Sequence, residues 1–224
     1  MSSAREEILA NIRRGLAVTG QEAPRKLEVS TRLSQKPRGL VPQRGAGDQA
    51  EQALMFTRQA QSVSAVVHEL ESLSQAPAEI ARVLAQHGLP QALRLGADAR
   101  LSELDWAQSD IALSFGPSQG EDQAALSHAF AGIAETGTLA LVSGADNPTT
   151  LNFLPDVHIV LLAFQDLVGD LESVWDRLRQ SYREAHMPRT LNLITGPSRS
   201  ADIEQTLLLG AHGPRHLHIL LYPH

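Results

Sequence analysis

The side chains best suited to bind an anion lie between two apolar runs near the end of the chain. Gly196 and the proline after it form a turn, Ser200 can cap a helix beginning near residue 201, and Arg199 places a permanent charge beside the amides of that helix. Such a corner suits a phosphate or a carboxylate, although a capped helix with a solvated arginine also fits the spacing. The residues expected to contact the anion are Gly196, Ser198, Arg199 and Ser200.

Histidines follow this corner along the chain. His212, in a constrained His-Gly-Pro loop, could present its imidazole to the same pocket as Arg199 and handle a proton. His216 and His218 would share one face of the last strand, but two imidazoles are fewer than the three ligands of a zinc site, so no metal site is predicted. His158, within an apolar run, is expected to be a hydrogen-bonded core residue.

A second candidate group is the turn Glu135-Thr136-Gly137, which precedes a predicted strand. A partly buried carboxylate at Glu135 could act as a base, a nucleophile or a ligand, with Thr136 and Gly137 binding the substrate beside it. The alternative is that Glu135 only hydrogen-bonds the turn. The polar run 147–150 either lines a pocket at the carboxyl edge of the sheet or consists of ordinary turn residues.

Composition excludes several functional classes. The 224 residues contain no cysteine, which removes thiolate zinc sites, cysteine nucleophiles and cysteine-ligated iron–sulfur clusters from this chain. The only lysines are Lys26 and Lys36, which argues against lysine-linked pyridoxal phosphate and P-loop chemistry in the remainder. Residues 1–46 carry nine basic against four acidic side chains, whereas residues 47–224 carry ten against twenty-one. Such an acidic core is a poor nucleic-acid binder.

The pattern of elements predicts an α/β fold, a mostly parallel sheet with helices on both faces. No signal peptide and no membrane-spanning run of roughly 20 apolar residues is recognised, so a cytoplasmic protein is expected. Residues 1–46 are interpreted as an amphipathic helix and a basic linker arm, and residues 47–224 as one α/β domain. The predicted helices are 4–16, 49–70, 76–86, 126–134, 164–182 and one from about 201; the predicted strands are 92–95, 111–115, 138–142, 157–164, 191–194 and 217–222.

Four motifs, taken in order, resemble the LutC/YkgG group of LUD-domain proteins. They are Glu135-Thr136-Gly137-Thr138, Leu154-Pro155 with His158 beyond it, the stretch 195–204, and His212-Gly213-Pro214-Arg215. The resemblance covers roughly residues 47–224 and implies a sheet related to ribose-5-phosphate isomerase and the CoA transferases (NagB/RpiA-like). It also implies a role in oxidising L-lactate to pyruvate with A-type and B-type iron–sulfur partner subunits. The lack of cysteine matches the C-type subunit; the redox cofactor is unknown. The glutamate nucleophile of the CoA transferases suggests a matching role for Glu135.

The sequence therefore predicts a cytoplasmic subunit of a lactate-oxidising complex, either catalytic or accessory. Its pocket would use Arg199 to hold a carboxylate or a phosphate, and Glu135 or His212 to handle a proton. Two alternatives remain. One is a stand-alone enzyme of the sugar-phosphate isomerase or CoA-transferase type, and the other is a non-catalytic assembly or regulatory module whose arm 1–46 docks on a partner.

Overall fold

The computed structural model describes residues 3–182, 186–200 and 208–223. The chain separates into two compact units, Met1–Leu40 and Val41–His224. No helix in the described ranges is long and apolar enough to cross a membrane.

The first unit consists of two helices, α1 (Ala4–Gly15) and α2 (Ala23–Gln35). Ser3 begins α1 through a capping box with Glu6. The prediction of a basic linker after the first helix is wrong for α2, because Pro24 lies in the first turn of that helix, where a missing backbone N–H costs nothing. Neither helix buries any of its residues.

The second unit alternates helices and strands. In chain order it contains α3 (Gln49–Ser62), β1 (Val66–Glu69), α4 (Ala76–Gln86), β2 (Ala92–Leu95), α5 (Ala99–Ser102), β3 (Ala112–Phe115), β4 (Ala124–His128), β5 (Ala131–Ile133), β6 (Thr138–Val142), β7 (Val157–Ala163), β8 (Leu167–Val168), α6 (Leu171–Ser181), β9 (Leu191–Ile194), β10 (Arg199–Ser200), β11 (Leu208–Leu209) and β12 (His216–Tyr222). Short 3-10 helices span Gln43–Gly45, Leu73–Gln75, Trp106–Gln108, Thr149–Asn152 and Phe164–Asp166.

The main sheet has six parallel strands in the order β1-β12-β7-β4-β2-β3, which confirms the α/β prediction. Every residue of β7 is buried, and successive side chains enter opposite layers. Ile159 and Leu161 pack in the cluster that contains α4, whereas Val160 and Leu162 pack with α3 and β6. Continuous burial explains why β7 is apolar except for His158.

A second sheet covers part of one face of the main sheet. Its order is β8-β5-β6-β9, with antiparallel pairing of β6 to both β5 and β9 and parallel pairing of β5 to β8. Leu139 and Leu141 of β6 pack against the main sheet in the same cluster as Phe56 of α3. The sequence pattern did not predict this sheet, so one layer combines a helix with a small mixed sheet.

Three predicted helices differ from the structure. The stretch 126–134 is not helical: it contributes to β4 and β5, both wholly buried, so tertiary packing on both sides overrides its helix-favouring composition. The stretch 49–70 divides into α3 and β1, and only 171–181 of the stretch 164–182 is α-helical. The helix expected from about residue 201 lies outside the described residues, and β10 pairs antiparallel with β11 on either side of that gap.

Candidate functional site

A cavity of about 260 Å³ lies where the two sheets meet. Leu193 and Ile194 contribute to it from the carboxyl end of β9, and His158 and Leu217 from the second positions of β7 and β12. The cavity therefore lies near the amino ends of the parallel strands β7 and β12, not at the carboxyl edge of the sheet. The remaining lining residues are Asn152, Phe153, Thr195, Gly196, Pro197, Ser198, Arg199, His212, Gly213 and Pro214.

Ser198 joins the two loops at the mouth of this cavity. Its backbone N–H donates to the carbonyl of Pro214 (2.8 Å), and its own carbonyl accepts from the amide of Gly210 (3.0 Å). Its hydroxyl accepts from the amide of His212 at 3.4 Å. These contacts bring the backbone of His212 beside the Ser198-Arg199 corner, and both His212 and Arg199 line the cavity.

The turn at Gly196 is fixed by a carbonyl group that follows α3. Gly196 has φ +74°, and a Cβ there would lie 2.4 Å from the carbonyl oxygen of Val63. The Arg199 guanidinium donates to the same oxygen. Because a guanidinium has five N–H donors, this contact orients the exposed side chain and leaves other donors for an anion.

The floor of the cavity contains a buried polar network that sequence reasoning missed. His158 is fully buried, its Nε2 lies 3.0 Å from the Ser127 hydroxyl, and burial lowers its pKa to about 3. Its Nδ1, like Nδ2 of the neighbouring Asn152, has no hydrogen-bond partner among the described residues. The prediction that His158 is a hydrogen-bonded core residue is confirmed at Nε2, whereas it did not foresee an Nδ1 without a partner in the described part of the chain. The only sequence signal was a histidine inside an apolar strand.

Glu135 lies outside this cavity. It is 6% exposed, and its Oε1 accepts from the amide of Leu171, the first residue of α6, at 3.3 Å. Its backbone N–H donates to the carbonyl of Gly169 (3.1 Å), and its Oε2 has no hydrogen-bond partner within the described ranges. The carboxylate thus lies at the start of a helix, where a negative charge is favourable.

Thr136 and Gly137 adjoin the cavity without lining it. Hydroxyl contacts of 2.7 Å run from Thr136 to Thr138 and from Thr138 to Thr195, which does line the cavity. Gly137 has φ +64°, and a Cβ there would lie 2.2 Å from the amide nitrogen of Ala60. The structure therefore brings Gly196, Ser198, Arg199 and His212 together around the cavity, whereas Glu135, Thr136 and Gly137 do not line it.

Ser200 and the polar run 147–150 were also candidates for the site. Ser200 lies in β10, and the helix that it was expected to cap lies outside the described residues. The polar run 147–150 does not line the cavity, whereas Asn152 does. Of the residues expected at the corner, Gly196, Ser198 and Arg199 line the cavity, and Asn152 and His158 also line it.

The histidines at the start of β12 join an imidazole cluster away from the cavity. His218 is 1% exposed and contacts His68 (Nδ1 to Nε2, 2.9 Å) and His87 (Nε2 to Nε2, 2.8 Å). Burial, reinforced by neighbouring imidazoles and Arg82, lowers the pKa of His218 to about 3. Among the described residues, no group of three or more His, Asp or Glu side chains is arranged to hold a metal ion.

Comparison with protein families matches residues 54–222 to the LUD domain. The chain belongs to the LUD domain family. The match includes both sheets and every lining residue of the cavity, so the site described above lies within the family's domain.

Several curated proteins are similar to parts of this LUD domain chain. Lactate utilization protein C of Anoxybacillus flavithermus is 40% identical over 82 residues, which are 37% of this chain and 36% of that protein. The uncharacterized protein NMB1437 of Neisseria meningitidis is 42% identical over 97 residues, 43% of this chain and 41% of the relative. YkgG of Escherichia coli is 28% identical over 180 residues, 75% of this chain and 78% of YkgG. The chain thus spans only about two fifths of the length of the first two relatives.

A solved structure supports the fold. The crystal structure of a DUF162-family protein from Deinococcus radiodurans superposes with a TM-score of 0.59 at 22% identity, covering 79% of this chain and 99% of that one.

Proposed function

We propose that this chain is the C-type subunit of a cytoplasmic complex that oxidises L-lactate to pyruvate with A-type and B-type iron–sulfur partner subunits. LUD domain membership and the similarity to proteins named Lactate utilization protein C support this proposal. The chain itself contains no cysteine, so any cysteine-ligated cluster of the complex belongs to a partner. The division into an arm, 1–46, and a LUD-type domain, 47–224, is part of the proposal.

The observation that carries a ligand-binding role is the convergence of Arg199, Ser198 and His212 on one cavity. A volume of about 260 Å³ is below the roughly 300–1,000 Å³ of pockets for drug-sized ligands and suits a small metabolite. Arg199 would hold the carboxylate through charge-assisted hydrogen bonds, and Ser198 would add a hydroxyl donor. His212, exposed at the mouth, would exchange a proton with solvent.

The proposed pocket does not depend on Glu135. The Glu135 carboxylate lies at the start of α6 and does not line the cavity. A proton-handling or nucleophilic role for Glu135 stays a prediction. Its burial favours a structural contribution, namely accepting the first backbone N–H of that helix.

The test is purification of the chain at native expression from cells grown on L-lactate, followed by lactate-dependent dye reduction. We expect iron–sulfur proteins to co-purify and Arg199→Ala to reduce the activity at least about tenfold, since a charged hydrogen bond is lost. Arg215→Ala is the matched control, because Arg215 lies in the neighbouring loop, pairs with Asp156 on the surface and does not line the cavity. Purification without partners and without activity would contradict the complex; equal loss in both variants would contradict the role of Arg199.

A further inference from the structure

The hydrogen-bond directions around Ser127 and His158 can be assigned, because the network begins at the Val142 carbonyl, which can only accept. The Asn147 amide donates from Nδ2 to the carbonyl of Val142 (3.3 Å), so its Oδ1 faces the Ser127 hydroxyl at 2.9 Å. An amide oxygen only accepts, and therefore Ser127 donates its one proton to an asparagine oxygen. The Ser127 oxygen in turn accepts from Nε2–H of His158.

This assignment leaves His158 as the Nε2–H tautomer with a bare Nδ1. A neutral imidazole whose Nε2 donates can only accept at Nδ1. Burial lowers the pKa of His158 to about 3, so the ring is neutral near pH 7. The structure thus presents an acceptor that has no partner among the described residues, on a side chain that is 0% exposed.

Asn152 supplies the complementary donor. Its Oδ1 lies 3.4 Å from the Ser127 hydroxyl, which directs its Nδ2 away from that network, and Nδ2 has no partner in the described part of the chain. Asn152 is 1% exposed, and both it and His158 line the cavity. Buried donors and acceptors are rarely left unpaired, so each of these two groups is expected to bind a ligand atom or an ordered water molecule.

We propose that His158 and Asn152 form a subsite for the oxygen on the carbon next to the ligand carboxylate, and that this subsite selects a 2-hydroxy acid over a 2-oxo acid. This inference rests on the proposed function, because it assumes a carboxylate held in the same cavity. A hydroxyl can donate to Nδ1 of His158 and accept from Nδ2 of Asn152. A ketone oxygen can only accept, so it would face the bare Nδ1 without a proton between them.

Isothermal titration calorimetry on the full-length chain with L-lactate, pyruvate and propionate tests this subsite. We expect L-lactate to bind at least about tenfold more tightly than either analogue, because only the hydroxyl satisfies both buried groups. Asn152→Leu should reduce the preference for lactate over propionate to within about twofold, since the subsite donor is lost. Asn192→Leu is the matched control: Asn192 is 9% exposed, its Nδ2 also lacks a partner within the described ranges, and it does not line the cavity.

The outcomes separate this inference from the proposal on which it rests. If the acids bind and Arg199→Ala weakens all three, but lactate is not preferred or Asn152→Leu keeps the preference, the carboxylate pocket stands and the subsite is refuted. If none of the acids binds to the wild-type chain, the carboxylate pocket and the subsite both fail. A water molecule that completes the network by itself would produce the first pattern, with no discrimination among the acids.

A measurement on the wild-type protein covers the case in which Asn152→Leu does not fold. Side-chain ¹⁵N NMR, with the His158 resonances assigned, should show this ring as the Nε2–H tautomer over the whole neutral pH range. L-lactate should shift the unprotonated nitrogen of that ring, and propionate should not. An unshifted resonance in saturating lactate would overturn the subsite.

Discussion

Replacing Gly196 by alanine probes the backbone contact that holds the anion-binding corner. Gly196 adopts φ +74°, a left-handed conformation that costs an alanine about 1–2 kcal/mol. The new Cβ would also lie 2.4 Å from the carbonyl oxygen of Val63, whereas ordinary contact begins near 3.4 Å. The turn would therefore have to move by about 1 Å away from α3, and such overpacking typically costs another 1–3 kcal/mol. We expect Gly196→Ala to lower the free energy of unfolding by about 2–5 kcal/mol.

Gly88 provides a matched control for the conformational part of this cost. It has φ +64°, but a Cβ there would meet nothing within 4 Å. Gly88→Ala should thus show only the left-handed penalty of about 1–2 kcal/mol. The difference between the two variants isolates the collision with Val63.

Urea unfolding followed by circular dichroism, with the melting temperature as a second readout, measures both variants. A loss of 1 kcal/mol should lower the melting temperature by about 2–4 °C in a chain of this size. If Gly196→Ala is no more destabilising than Gly88→Ala, the close approach of the turn to Val63 is refuted. If both are neutral, the left-handed conformations are refuted as well.

Three other predictions concern buried polar groups. Burial lowers the pKa of His158 and of His218 from 6.5 to about 3. As the pH falls, both histidines therefore become protonated in the unfolded chain at a higher pH than in the folded chain. Stability should be full above about pH 6.5 and fall towards pH 3, by on the order of 4 kcal/mol for His158, as measured by urea midpoints across that range. Glu135→Gln retains an acceptor for the start of α6 and should cost less than about 1 kcal/mol, whereas Glu135→Leu should cost about 1–3 kcal/mol; equal costs would contradict that contact. His128 Nδ1 donates to the carbonyl of Ala129, so its Nε2 accepts from the Tyr222 hydroxyl at 2.8 Å. Tyr222→Phe leaves that nitrogen unpaired and should cost about 1–3 kcal/mol in thermal unfolding. A variant as stable as the wild type would contradict the hydrogen bond.

Short helices and strands that are bounded on both sides by turn residues could be predicted from the sequence. The bounds of α4 and of strands β2, β6 and β9 agree with the prediction, because turn residues punctuate short apolar runs and a proline opens the helix. The corner from Gly196 to Arg199 and the loop at His212 were also predictable as neighbours, since both adjoin strand ends. Residues 124–133 were not predictable as strands, because Ala, Leu and Ser favour no strand until β2 and β7 enclose them.

The sequence by itself determined which functional groups the chain contains and where its short elements lie. It has no thiol, an α/β domain without lysine, a glycine turn before an arginine, and apolar runs long enough for a parallel sheet. Only the tertiary structure decided which groups share a cavity. It placed Glu135 at the start of α6 and made His158, Asn152 and Arg199 line one cavity. The physical reason is that periodicity along a chain reports which face of an element is buried, whereas the partner of a buried polar atom depends on strands that pair over long distances in sequence.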